Sequence, residues 1–346
     1  MSASGFPALP GEALARALRR WGLDLQRGVP LARFTTARIG GPADGLVIVE
    51  EVEALADVVR AAWADGLPVT VLGGGSNVLI ADRGVRGLVV LNRTRPLRFE
   101  ADGRVWAASG VLLPTLARLC AERGWGGLEW AIGVPGTVGG AVVGNAGAHG
   151  GDIAGCLEAV TLLLPEGEVA TWPADRLALG YRTSRLKTWP TTPRPVVLAA
   201  SFLLRPADPE RLWERMAAFS AYRRRTQPGG SSLGSMFRNP PGYHAGRLIE
   251  AAGLKGLRRG GIVVSALHAN FFINEGNGTA AEVRALMAEV QRRVFERFGV
   301  LLEPEIELIG EWEDEAEDPG GCPVRGEIGG ARGEPPLGPV GDPGAG

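Results

Sequence analysis

Apolar residues follow a helical period at the start of the chain and then alternate between extended and helical periods. The spacing from Leu14 to Leu25 predicts a short amphipathic helix over residues 12–25. Three further elements are predicted in the order of a β-α-β unit: a strand at 46–49, a helix at Val52–Ala64 and a strand at Val69–Leu72. The segment VLIADRGVRGLVVLN that follows is strand-like, and we expect Gly84 and Gly87 to break it.

The second half of the chain carries longer helical patterns. Strands are predicted at Arg104–Ala108, 160–164 and VVLAASFLLRP, with a helix at 113–123. A helix begins at Asp208-Pro209, because proline suits the first helical turn. Another follows Thr279, which can form a capping box with Glu282, and Gly299 ends it. The segment VLLEPEIELIG predicts a final strand.

The length of 346 residues indicates two or three domains. We expect an N-terminal helical segment at 1–30, two larger domains at 31–206 and 207–310, and a tail at 311–346. The last 28 residues contain ten glycines and six prolines with almost no apolar periodicity, so the tail is expected to be disordered.

Two glycine-rich segments interrupt these elements. The first, Gly73-Gly74-Gly75-Ser76-Asn77, follows the strand VTVL, and the second is GVPGTVGGAVVGNAGAHGG at 133–151. Tight turns between short strands would explain either one alone. Two together favour a cradle for a phosphate-bearing cofactor, because successive exposed N–H groups bind anions. Neither segment contains GxGxxG opening a helix, which disfavours a Rossmann dinucleotide fold.

Composition narrows the possible partners. The formal net charge is −1, which indicates no general attraction to nucleic acid or anionic membranes. All but two of the 37 basic residues are arginines, a bias that we attribute to genome composition. The three cysteines and three histidines are scattered, so neither a disulfide framework nor a metal site is expected. No apolar run approaches about 20 residues, and we expect a cytoplasmic protein.

Three polar segments could carry chemistry. The segment GYRTSR at 180–185 holds two arginines whose planar guanidinium groups suit carboxylates or diphosphates, although a surface loop is the better explanation of this segment taken alone. A Gly/Ser loop around Ser235 follows the basic run at 223–225, and it lacks the GxSxG elbow of a hydrolase. Glu303, Glu305 and Glu307 are expected to share one face of the final strand, which could be catalytic or simply solvated.

Taken in order, eight segments resemble the UDP-N-acetylenolpyruvoylglucosamine reductase family, whose flavin enzymes make UDP-N-acetylmuramate for peptidoglycan. They span about residues 33–310 and read TTARIGGPAD, VTVLGGGSNVLI, GLEWAIGVPGTVGGAVVGNAGAHGGDI, YRTSRLK, GSMFRNP, AGRLIEAAGLKG, HANFFIN and LEPEIELIG. The resemblance implies an α+β fold with a two-subdomain FAD-binding region of the vanillyl-alcohol-oxidase (PCMH) type and a C-terminal α+β substrate-binding domain. The short linker before GSMFRNP is similar to the family branch that lacks a tyrosine-bearing flap.

The resemblance also implies the reaction and its residues. NADPH reduces non-covalently bound FAD, hydride then passes to the vinyl carbon of UDP-N-acetylglucosamine enolpyruvate, Ser235 donates the proton, and Arg182 and Glu305 stabilise the enolate charge. The partners expected are these two small molecules, with no nucleic acid, no membrane insertion and a monomeric protein.

The remaining implied residues bind the cofactor or the sugar nucleotide, and no metal is expected. FAD would contact Arg38, Ile39, Gly40, Gly73, Gly74, Gly75, Ser76, Asn77, Val78, Leu79, Gly133, Val134, Pro135, Gly136, Thr137, Gly139, Gly140, Asn145, Gly147, Ala148 and Ile153. The sugar nucleotide would contact Tyr181, Arg225, Gly234, Asn239 and His268.

Two other functions stay open from the sequence. One is a flavin oxidase of similar fold with FAD tethered covalently, for which His149 or Cys156 could be the tether. The other is a sugar-nucleotide-binding module without catalytic activity.

Overall fold

The computed structural model describes residues 9–312 and divides them into two compact units that alternate along the chain. The first unit contains the described residues up to Val29, together with Ala43–Gly75 and Val85–Arg223. The second contains Pro30–Pro42, Ser76–Gly84 and the described residues from Arg224 onward. Most of the expected tail and Cys322 lie outside the described residues.

Seven α-helices occur in the described part of the chain. They are α1 Glu12–Trp21, α2 Val52–Ala64, α3 Leu113–Glu122, α4 Val138–Gly144, α5 Pro209–Thr226, α6 Ala245–Ala251 and α7 Ala280–Phe298. Short 3₁₀ turns occur at Leu31–Phe34, Glu129–Gly133 and Ala174–Leu177. No described helix is both long enough and apolar enough to cross a lipid bilayer.

The first unit is built on two sheets. Three parallel strands lie in the order Pro42–Val49, Val85–Asn92 and Val69–Leu72, and α2 packs beside them in a core of leucine and valine side chains. An antiparallel sheet has the order Val169–Pro173, Leu157–Leu163, Val196–Leu203, Arg104–Ala108 and Leu97–Phe99. Its core includes α3 and α4.

The second unit combines an antiparallel sheet with α6 and α7. Its strands have the order Ser231–Ser235, Phe271–Asn274, Ile262–Val264 and Arg258–Arg259. A parallel pair, Val78–Ile80 and Glu307–Ile309, joins the first glycine segment to the C-terminal end of the described chain. Two-residue strands also occur in the first unit at Trp125–Gly126, Gly147–Ala148, Gly151–Asp152 and Arg205–Pro206, and Val29–Pro30 lies at the boundary between the units in the chain. This mixture of helices and antiparallel sheets confirms the α+β class.

Three expected elements are corrected. Helix α1 ends at Trp21, because Gly22 adopts a left-handed conformation (φ 60°). Gly87 does not break its segment but lies within the strand Val85–Asn92, where its φ of 84° is readily adopted by glycine. The final strand is only Glu307–Ile309, so Glu303, Glu305 and Glu307 do not share one strand face.

Candidate functional site

The two glycine segments meet within the first unit. A Cβ on Gly73 would collide with Thr137 Oγ1, and one on Gly74 would lie 3.0 Å from the Cα of Gly136. Arg93 donates from Nη1 to the carbonyl oxygen of Gly73 (2.9 Å). Glycine at 73 therefore leaves room for the Thr137 side chain, and glycine at 74 allows the close approach of the two backbones.

The second glycine segment folds around α4. The N–H of Gly139 donates to the carbonyl of Ser109 (2.8 Å), which fixes the start of the helix. Gly140 and Gly144 differ from Gly73, because neither is crowded. A Cβ on Gly140 would meet only Thr137 Oγ1, at 3.9 Å, and a Cβ on Gly144 would meet no atom within 4 Å. Glycine at these two positions leaves backbone accessible, which fits the approach of a cofactor such as FAD.

Arg182 lies at the tip of a tight turn bound to the second glycine segment. Gly180 and Thr183 exchange two backbone hydrogen bonds of 3.1 Å each, and Arg182 takes the left-handed conformation (φ 55°). Asn145 Nδ2 donates to the Gly180 carbonyl (2.9 Å), and Arg182 Nη2 donates to the Gly147 carbonyl (2.8 Å). The half-buried guanidinium is thus held in place by the segment expected to bind the cofactor.

Unusual backbone conformations are concentrated at the predicted site. Among the described non-glycine residues, positive φ occurs at five: Arg38, Asn145, His149, Ala178 and Arg182. Three of these are predicted site residues. Such conformations cost about 1–3 kcal/mol each and persist where the surroundings enforce them, most often at functional sites.

Ser235 and Glu305 are neighbours within the second unit. Ser235 ends the strand Ser231–Ser235 opposite Phe271, after a register shift at which Gly234 has φ 78°. The next residue, Met236, accepts a hydrogen bond from the backbone N–H of Glu305 (2.9 Å). Both side chains are half-buried. The proton donor and the glutamate implied by the resemblance are therefore close along adjoining backbone segments.

The side chain of Asn270 holds this region together. It accepts from the N–H of Phe237 (3.0 Å) and donates to the carbonyl of the same residue (2.8 Å). The backbone carbonyl of Glu305 in turn accepts from Asn77 Nδ2 (3.2 Å). Asn77 thus connects the first glycine segment to Glu305.

The predicted site residues are distributed over both units. The first unit holds residues 73–75, 133–137, Gly139, Gly140, Asn145, Gly147, Ala148, Ile153, Tyr181 and Arg182. The second holds residues 38–40, 76–79, Arg225, Gly234, Ser235, Asn239, His268 and Glu305. Tyr181, Arg225 and Asn239 are exposed.

His268 has a defined tautomer. Its Nδ1 accepts from the backbone N–H of Asn270 (3.2 Å), so a neutral ring carries its proton on Nε2. The ring lies edge-on to Phe271 with centroids 4.9 Å apart. Burial lowers the pKa of His268, which favours this neutral donor form.

His149 and Cys156 occupy different surroundings. The His149 ring is stacked on Phe219, with centroids 4.3 Å apart and planes 9° from parallel. Cys156 is buried, and burial raises the pKa of its thiol to about 12. That thiol is a poor nucleophile, because the thiolate is the reactive form.

Sequence reasoning missed a buried polar network beside the glycine segments. Asn92, Thr94 and Ser109 are almost fully buried. Asn92 Nδ2 donates to Ser109 Oγ, and Asn92 Oδ1 accepts from Thr94 Oγ1, each at 2.8 Å. The available signal was the polar NRT directly after the apolar run GLVVL. No group of three or more metal-binding side chains occurs between residues 9 and 312.

Comparison with known proteins shows the family to which the chain is similar. A family model described as UDP-N-acetylenolpyruvoylglucosamine reductase, C-terminal domain, matches residues 226–309, and one described as FAD binding domain matches residues 43–172. The UDP-N-acetylenolpyruvoylglucosamine reductase of Rubrobacter xylanophilus is 47% identical over 82% of this chain and 94% of its own length. That of Synechococcus sp. is 43% identical over 84% of this chain and 93% of its own length.

A solved structure is similar in fold. The crystal structure of the reductase from Thermus caldophilus aligns with 83% of this chain and 99% of its own, with a TM-score of 0.71 and 37% identity.

Proposed function

The chain belongs to the UDP-N-acetylenolpyruvoylglucosamine reductase family, and from that premise we propose that it reduces UDP-N-acetylglucosamine enolpyruvate to UDP-N-acetylmuramate with electrons from NADPH. It is a flavin-dependent oxidoreductase with an FAD-binding domain. The observation that carries the proposal is the hydrogen bond from Arg182 Nη2 to the Gly147 carbonyl, which links the expected catalytic arginine to the cofactor segment. We further propose that the protein is a cytoplasmic monomer that acts in peptidoglycan precursor synthesis. The proposed FAD-binding domain spans residues 31–206, and the proposed substrate-binding domain spans residues 207–310.

Each proposed catalytic residue has one task. FAD, when bound, supplies the hydride chemistry. Arg182 stabilises the negative charge that develops at the carboxylate-bearing carbon, since a fixed guanidinium needs no reorganisation during the reaction. Ser235 donates the proton, for which position matters more than a matched acidity. Glu305 can assist the enolate only as a carboxylic acid donating a hydrogen bond, because a carboxylate only accepts.

The two half-reactions test the role of Ser235. In Ser235→Ala, reduction of the flavin by NADPH should proceed as in wild type, because no proton is needed from the hydroxyl in that step. Reoxidation by the enolpyruvyl sugar should slow by roughly 10²-fold or more, the range typical of a lost general acid. Anaerobic stopped-flow absorbance measures both rates, with Ser231→Ala on the same strand as the control. Equal slowing of both half-reactions would remove Ser235 from this role.

Non-covalent attachment of FAD is part of the proposal. The high pKa of buried Cys156 supports it, because the thiolate is the reactive form of a cysteine. Acid precipitation of the purified protein should leave the yellow flavin in the supernatant. Flavin in the pellet would favour the tethered oxidase instead.

A further inference from the structure

Arg223, near the end of α5, is a half-buried cation with no acidic partner among the described residues. Its side chain crosses Gly133, where a Cβ would lie 2.5 Å from Arg223 Cδ and 2.7 Å from Nε. Burial alone lowers the pKa of its guanidinium, and within residues 9–312 no carboxylate pairs with it. Arg215 on the same helix does have such a partner, Glu129, at 3.3 Å. The cost of removing Arg223 from water is therefore not offset by any described group.

His149 lies beside this arginine. Its ring packs between Phe219, at a centroid distance of 4.3 Å, and the edge of Tyr222, at 5.7 Å. Burial first, and the charge of Arg223 second, lower the pKa of His149, so the ring stays neutral. Its Nε2 is buried and has no hydrogen-bond partner among the described atoms.

Arg223 and His149, neither of which has all its polar atoms paired, lie at opposite ends of the second glycine segment: Arg223 packs on Gly133, and His149 is part of the segment. Gly133 begins that segment and His149 lies near its end, and both fall within the residues matched by the FAD-binding domain model. A guanidinium held against glycine backbone is arranged for an anionic oxygen, which it binds with charge-assisted hydrogen bonds. Packing alone gives no reason for a charge here, because the aliphatic stem already covers Gly133.

We propose that Arg223 is a flavin-binding residue whose guanidinium pairs with an anionic oxygen of bound FAD beside Gly133, while the His149 ring positions α5. The anionic oxygen belongs either to the diphosphate or to the reduced isoalloxazine ring. The inference rests on the flavin chemistry proposed above. The proposal gives Arg223 and Arg225 different ligands: Arg223 binds the flavin, and Arg225 keeps its expected contact with the sugar nucleotide.

Arg223→Met tests the proposal, since methionine retains an apolar stem over Gly133 and removes the charge. Arg224→Met is the matched control, because Arg224 is exposed on the same helix. If the anion is the diphosphate, quenching of flavin fluorescence in apoprotein prepared by removing FAD should show FAD binding roughly tenfold to a hundredfold weaker in Arg223→Met and unchanged in the control. The melting temperature of the apoprotein should not fall, because an unpaired buried charge has been removed.

Two further measurements show which group of FAD carries the anionic oxygen that pairs with Arg223. If Arg223 binds the diphosphate, riboflavin, which lacks phosphates, should bind both variants equally. If it binds the reduced ring, the reduction potential of the bound flavin should fall in Arg223→Met relative to Arg224→Met. Equal FAD affinity and equal potential in both variants would overturn the proposal. A wild-type protein that binds FAD but does not reduce the enolpyruvyl sugar fails the proposed function and leaves this comparison intact.

Discussion

Arg182 illustrates how a strained residue can be kept ready for function. A left-handed backbone costs an L-residue about 1–2 kcal/mol. The bonds from Asn145 to Gly180 and from Arg182 to Gly147 hold the turn in that conformation. Because the guanidinium is fixed before any ligand arrives, it can stabilise developing charge without further ordering.

The geometry of Arg182 leads to a kinetic prediction. Arg182→Lys should slow reoxidation of the flavin by the enolpyruvyl sugar by roughly 10²-fold, because an ammonium cannot reproduce the planar fork. Reduction by NADPH should be unaffected. Rapid-reaction absorbance measures both steps, and Arg185→Lys, an exposed change in the same segment, serves as the control. The same rate loss in both variants would show a general effect of the segment.

The two described cysteines should be unreactive in the folded protein. Burial raises the pKa of Cys120 and of Cys156 to about 12, so almost no thiolate forms at pH 8. In a Cys322→Ser variant, Ellman's reagent should detect no fast-reacting thiol in the native protein. After guanidinium chloride unfolds the protein, the reagent should detect two thiols. A fast-reacting thiol in the native protein would contradict this burial.

At the scale of elements, the start of α7 shows how distant segments complete a helix. The predicted capping box of Thr279 and Glu282 is present. Asp82, which follows the strand Val78–Ile80, accepts from the N–H groups of Ala280 and Ala281 at 2.8 and 2.9 Å. Four backbone donors at a helix start lack intrahelical partners, and Asp82 satisfies two of them.

Removing that carboxylate should destabilise the second unit. Asp82→Ala is expected to lower the free energy of unfolding by about 1–2 kcal/mol, the usual size of a lost N-terminal cap. Urea unfolding followed by circular dichroism measures it, with Glu214→Ala on the exposed face of α5 as the control. An unchanged unfolding midpoint would show that water replaces Asp82 at no cost.

The segment at 300–310 shows where alternation misleads. Glu303, Glu305 and Glu307 alternate with other residues, yet only Glu307–Ile309 pairs as a strand. Pro304 has no N–H to donate and forms only an isolated bridge with Phe237. The backbone N–H of Glu305 instead donates to Met236, beside Ser235.

At the scale of the molecule, two histidines make the stability of the folded protein depend on pH. Burial lowers the pKa of His149 in the first unit and of His268 in the second. The unfolded chain therefore binds more protons than the folded one as the pH falls through about 6.5, the ordinary histidine range. Stability rises with pH wherever the unfolded state binds more protons, so these residues lower stability in acid.

This sign can be checked at His149. The loss in thermal midpoint between pH 7.5 and 5.5 should be smaller in His149→Phe than in wild type, because phenylalanine keeps the ring stack and does not titrate. His244→Gln, at an exposed position, should retain the wild-type loss. Scanning calorimetry at the two pH values measures the difference, and identical losses in all three proteins would contradict the prediction.

The amino-acid sequence by itself determined the elements whose signals are local. Helix α2 and the strands Val69–Leu72 and Arg104–Ala108 were predicted at their observed limits, and the capping box and Gly299 predicted α7. The order of eight motifs identified the family, which the comparisons confirm. Periodicity and capping depend on residues within a few positions of one another, so the sequence contains them directly.

Only the tertiary structure decided which distant groups meet. Gly74 faces Gly136, Asn145 holds the turn of Arg182, and Asp82 caps α7. It also separated glycines whose space is taken by a neighbouring group, such as Gly73 beside Thr137, from those that lie open, such as Gly144. These contacts join residues far apart in the chain, and their partners depend on the path of the backbone, which no local pattern encodes.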